Sequence, residues 1–136
     1  PIGRIWLQAR TLTYQSKTKP MSTESEISIK VSLDENKVPD TMTWLATEDG
    51  DGGEITAALL SLWDPKDLNT LKIDLWTKEM KLDDMKQFFH QTLLSMADTF
   101  DRATGEAQMA QDMRDFTQYF GTKMGLIAPN GAEGEA

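Results

Sequence analysis

Residues 71–100, LKIDLWTKEMKLDDMKQFFHQTLLSMADTF, change their hydrophobic period partway along. Leu71, Ile73 and Leu75 alternate with Lys72, Asp74 and Trp76, the period of two that an extended chain imposes by sending successive side chains to opposite faces. From Leu82 the apolar residues recur at threes and fours, as Leu82, Met85, Phe89, Leu93, Met96 and Phe100, which is one face of an α-helix. Asp83 and Asp84 stand in its first turn, where carboxylates complement the N-terminal end of the helix dipole. A strand therefore hands over to an amphipathic helix spanning about 82–100. Phe88 and Leu94 flank the stripe on opposite sides, so its apolar surface is wider than one contact with a sheet would cover.

Upstream the period of two recurs. At 26–33, Ile27, Ile29, Val31 and Leu33 alternate with Ser28, Lys30 and Ser32, which predicts a strand with one buried face. Residues 34–40, DENKVPD, read as a turn. Met42, Trp44 and Ala46 then alternate with Thr43, Leu45 and Thr47 in a second strand, closed by EDGDGGE at 48–54. A third strand at 59–64 and a fourth at 70–76 flank the turn 65–69 in a hairpin. Downstream, Met109, Met113, Phe116, Phe120 and Met124 predict a second helix over about 106–123, with Thr104 as N-cap and Gly125 as a left-handed terminator. The fold class expected is α+β: a four-stranded antiparallel sheet followed by two C-terminal amphipathic helices, with Ile27, Ile29, Val31, Leu33, Leu71, Ile73 and Leu75 packing on the first helix.

The ends differ from this body. Residues 1–20 hold Arg4, Arg10, Lys17 and Lys19 but none of the 22 acidic residues, and Met21 is followed by a polar acidic lead. We expect residues 1–20 to be an upstream extension, 21–127 a single domain, and 128–136, APNGAEGEA, a disordered acidic tail. A basic arm or transit peptide is the other reading of the first segment. The chain's formal net charge is −8, and without the basic N-terminal segment the remainder is more acidic still. Such a body repels phosphate backbones, so DNA, RNA and anionic membranes are poor partners. No run of 18 apolar residues exists, which argues against a membrane span.

Catalytic and metal chemistry find little support. There is no cysteine, so disulfides, thiolate nucleophiles and cysteine-ligated metals are excluded. His90 is the single histidine; it falls at the edge of the helical stripe and reads as a boundary residue rather than a general base. Glu48, Asp49, Asp51 and Glu54 do not have the spacing of an EF-hand loop and read as a solvated acidic turn. Acid/base work by Asp83 with Asp84, or by Asp98 with Asp101, needs environments that set the two members of a pair apart, whereas helical phase puts these residues mostly on the wet side, where they read as solubilising. No nucleophile elbow, phosphate loop or dinucleotide fingerprint is present. The expectation is a chain without cofactor, metal or enzymatic activity. What stands out is Leu59, Trp63 and Trp76 on the second face of the hairpin, joined by Phe88 on the first helix. These are the candidate interface residues, because exposed aromatic patches are uncommon on monomers and tryptophan is frequent at binding hot spots; the other reading is that the chain's own loops cover Leu59, Trp63 and Trp76. Self-association through this face is the accompanying expectation.

Over about residues 26–126 the chain resembles the gliding motility protein GldC family. The resemblance rests on SLDENKVP (32–39), LSLWD (60–64), IDLWTKEM (73–80) and MKQFFHQTLLSMADTF (85–100). Segment 1–20 and the tail after Ile127 depart from the family pattern. The resemblance implies a small cytoplasmic accessory of the gliding machinery, without assigned enzymatic activity and without catalytic residues to carry over. The order of four strands and two helices is also similar to that of the export chaperone SecB, so a SecB-like holdase or export-targeting chaperone is the alternative; this is an analogy of topology. Either way the expected partner is a protein of the gliding or export machinery.

Overall fold

The computed structural model describes residues 23–48 and 50–128, which fall into two compact units, one ending at Met80 and the other beginning at Lys81. The expectations for segment 1–20 and for the tail lie outside the described residues, apart from Ala128.

The first unit holds five strands: β1 (Ile27–Leu33), β2 (Pro39–Ala46), β3 (Gly52–Ile55), β4 (Ala57–Asp64) and β5 (Asn69–Trp76). They form two antiparallel sheets, β1-β2-β3 and β4-β5, which corrects the expected single four-stranded sheet. The additional strand, β3, lies at the end of the segment read as a turn. Only Thr56 separates β3 from β4, and the chain bends there. One extended stretch thus pairs with β2 in its first half and with β5 in its second.

The alternation in β1 and β2 has the anticipated sidedness. The register places Ile27 opposite Ala46, Ile29 opposite Trp44 and Val31 opposite Met42, so the apolar sets of both strands share a face, which Gly53 and Ile55 of β3 extend. Met42 and Ala46 are buried there, and Met42 is the largest side chain buried completely. The turn between β1 and β2 is built by Asp34, whose Oδ1 accepts hydrogen bonds from the backbone N–H of Asn36 at 2.8 Å and of Val38 at 2.9 Å. Its other carboxylate oxygen takes an ion pair from Lys78, just beyond β5. The backbone N–H of Lys78 reaches Pro39 O at 3.3 Å and that of Thr77 reaches Thr56 O at 2.8 Å. The segment after β5 is therefore tied to both sheets. Thr77 is buried, and its hydroxyl finds no partner among the described residues.

The second unit is an antiparallel helical hairpin of α1 (Leu82–Thr104) and α2 (Ala107–Lys123). α1 runs one turn further than expected. Thr104 is consequently its last residue and not the N-cap of α2, although its hydroxyl does accept the N–H of Glu106 at 3.1 Å. Gly105 closes α1 at φ 72°, and Gly125 follows α2 at the same left-handed angle.

The seam between the helices is made of small residues: Ala97 of α1 with Ala110, Thr117 and Gly121 of α2 are the buried positions. Small side chains let the helix axes approach closely, and a Cβ on Gly121 would lie 2.7 Å from His90 Nε2 and 2.8 Å from Ile127 Cδ1. The bulky residues Phe89, Met96, Met109 and Phe116 are all exposed. Alongside the small residues, Arg114 of α2 donates to Asp98 Oδ1 at 3.0 Å and to Asp101 Oδ2 at 3.2 Å on α1. Both carboxylates, Asp98 foremost, hold the guanidinium further toward its charged form.

Candidate functional site

The geometry of the β4-β5 hairpin decides what its two faces can do. Its turn is organised as in β1-β2: Asp64 Oδ1 accepts the backbone N–H of Lys66 at 2.9 Å, and Leu68 takes a left-handed φ of 50°. That turn sets Asp64 opposite Asn69, and every later pair follows. Directly opposed residues of an antiparallel ribbon point the same way. One face therefore carries the pairs Ala57–Trp76, Leu59–Asp74, Ser61–Lys72 and Trp63–Thr70, and the other carries Ala58–Leu75, Leu60–Ile73, Leu62–Leu71 and Asp64–Asn69.

Leu59, Trp63 and Trp76 share the first face, as anticipated, and Trp63 and Trp76 are exposed at 62% and 55%. They do not form one patch. Trp76 lies opposite Ala57, six residues from Trp63, which at about 3.3 Å per residue separates the two tryptophans by about 20 Å. Leu59, half-buried, lies between them. The intervening surface is polar, with Lys72 Nζ 3.5 Å from Asp74 Oδ1. Phe88 is half-buried, and its ring meets that of the exposed Phe89 edge to face at 6.3 Å.

The contiguous apolar surface is the opposite face. Leu60–Ile73 and Leu62–Leu71 stack as consecutive same-face rungs with Ala58–Leu75 beyond them. Leu62 and Leu71 are each 50% exposed and Ile73 45%. Alternation along β5 puts Leu71, Ile73 and Leu75 on this face, where Leu71 and Ile73 are exposed and Leu75 is half-buried.

Several of the residues weighed for chemistry have side-chain partners. The ring of His90 stacks on Phe120, with centroids 6.4 Å apart and planes at 12°. Asp98 and Asp101 bind Arg114, and Asp83 approaches Lys86 at 4.0 Å. Among the described residues no group of three or more His, Cys, Asp or Glu side chains could hold a metal ion; Asp49 lies outside them. No helix among the described residues is long and apolar enough to cross a membrane.

A family model described as gliding motility-associated protein GldC-like matches residues 39–126. That span runs from the first residue of β2 to just past α2 and includes both faces of the hairpin. No curated protein matches the chain, and no solved structure does, so the likeness to SecB rests on element order alone. The fifth strand and the division into two sheets depart from that order.

Proposed function

We propose that this chain, which belongs to the GldC-like family of gliding motility-associated proteins, is a non-enzymatic cytoplasmic accessory of bacterial gliding that works by binding another protein. The observation that carries the mechanism is the apolar ladder on one face of the β4-β5 hairpin, half-buried at Leu60 and exposed at Leu62, Leu71 and Ile73. A two-stranded ribbon with strands about 4.8 Å apart is about as wide as one α-helix, about 10 Å across. The ladder thus suits a single amphipathic helix of a partner. The net charge of −8 favours a partner with basic flanks and steers its approach. Trp63, on the opposite face, stands outside this contact.

Replacing the native protein in a gliding bacterium with the Leu62→Glu variant, at matched cellular level, tests this reading. A carboxylate buried against an apolar partner without a counter-charge costs several kcal/mol, so gliding should fall while Trp63→Glu leaves it unchanged. Normal gliding by the Leu62→Glu strain would overturn the assignment. A SecB-like holdase is the competing reading, since the same open face would suit unfolded chains. It requires protection of unrelated unfolded proteins from aggregation, which the accessory reading does not.

A further inference from the structure

The outer side of α2 carries a second pattern. Met109, Asp112, Phe116, Tyr119 and Lys123 follow one another at alternating steps of three and four, the spacing of a coiled-coil seam. By helical phase this line is turned away from Ala110, Thr117 and Gly121, which face α1. Phe116 and Tyr119 are 52% and 60% exposed, and their rings touch at a centroid distance of 6.2 Å. Asp112 and Lys123 are exposed as well, and neither has an ion-pair partner among the described residues. Asp112 accepts one hydrogen bond on Oδ1, from Gln108 at 3.2 Å.

The order along this line is acid, aromatic, aromatic, base, and the two pairs share one midpoint: Asp112 and Lys123 lie as far from it as each other, as do Phe116 and Tyr119. A helix read in the reverse direction about that midpoint exchanges acid with base and keeps aromatic on aromatic. This is the complementarity that an isologous two-fold contact demands. We propose that two copies of this chain pair through α2, antiparallel, with Phe116 of each copy against Tyr119 of the other and Asp112 of each against Lys123 of the other. Met109 then approaches the far end of the opposing helix. The contact is short, which places it among weak, concentration-dependent dimers. It is independent of the β4-β5 ladder and of the gliding assignment.

Sedimentation velocity on the full chain at about 200 µM, a concentration suited to a small interface, reads the proposal. The wild type should dimerise, and Tyr119→Glu, checked for native helicity by circular dichroism, should be monomeric. Lys123→Asp sets acid against acid at both ends and should weaken the dimer about tenfold. Combining Lys123→Asp with Asp112→Lys should restore it. A monomeric wild type, or a dimer unchanged in Tyr119→Glu, overturns the proposal. A dimer abolished by Tyr119→Glu but indifferent to Lys123→Asp overturns the antiparallel register.

Discussion

His90 Nε2 stands where a Cβ on Gly121 would come within 2.7 Å, so α1 and α2 interlock at a position that only glycine fills without displacing a neighbour. Phe120, which precedes Gly121, stacks on the same imidazole. His90 thus packs as a wedge between two helices. Gly121→Ala adds helix propensity worth about 1 kcal/mol but makes the wedge and Ile127 move, which typically costs 1–3 kcal/mol. The two substitutions should be coupled. In denaturant unfolding, Gly121→Ala should be better tolerated in a His90→Ala background than in the wild type by about 1 kcal/mol. Additivity within about 0.5 kcal/mol would show that the close approach is not energetically real.

The β1-β2 turn should titrate with Asp34. Its carboxyl is held below the ordinary carboxylate range, first by the hydrogen-bonded ion pair with Lys78 and then by the N–H of Val38. A folded-state pKa below the unfolded value gives a contribution to stability that is complete above about pH 4 and is lost as pH falls through the folded-state value. Lys78 is shifted upward by the same partner. Its share is complete below the ordinary lysine range and disappears as pH rises through the folded-state value. Asp34→Asn should flatten the acid limb of a plot of thermal midpoint against pH. An unchanged limb would assign acid sensitivity elsewhere.

Thr77 is the described residue whose buried side-chain oxygen lacks a partner. An unsatisfied buried hydroxyl costs about 1–3 kcal/mol. Thr77→Val, which keeps the branched shape, should therefore raise the urea midpoint or leave it unchanged. Met42→Ala, at the most completely buried large side chain of the same unit, should lower stability by about 2–5 kcal/mol. A marked loss from Thr77→Val would mean that the hydroxyl has a partner in solution.

The sequence announced each element in proportion to its side-chain contrast. The strict alternation of β1 and the threefold and fourfold spacing of α1 are large signals, and both elements lie where their periods put them. β3 was hidden because Gly52 and Gly53 have low strand propensity and turn chemistry. Gly52 nevertheless serves the pairing: a Cβ there would meet Trp44 O at 2.6 Å. The helical seam is faint in the sequence for a related reason. Ala97, Ala110, Thr117 and Gly121 carry little hydropathy, so the periodicity points to Phe89 and Phe116, which flank the contact. At the hairpin, parity along the strand correctly put Trp63 and Trp76 on one face. Only the register, fixed by the turn at Asp64, revealed the distance between them and the continuity of Leu60, Leu62, Leu71 and Ile73 on the other.

Docking of a gliding-machinery protein on the β4-β5 ladder is read out by capture with three baits, each checked for folding: the wild type, Leu62→Glu and Trp63→Glu. Lysates should come from a gliding strain and from a mutant lacking the gliding machinery. Wild type and Trp63→Glu should retain the same gliding-machinery protein from the first lysate only, and Leu62→Glu, with its carboxylate placed in the ladder, should retain none. Equal capture by all three baits, or loss with Trp63→Glu and not with Leu62→Glu, would contradict it.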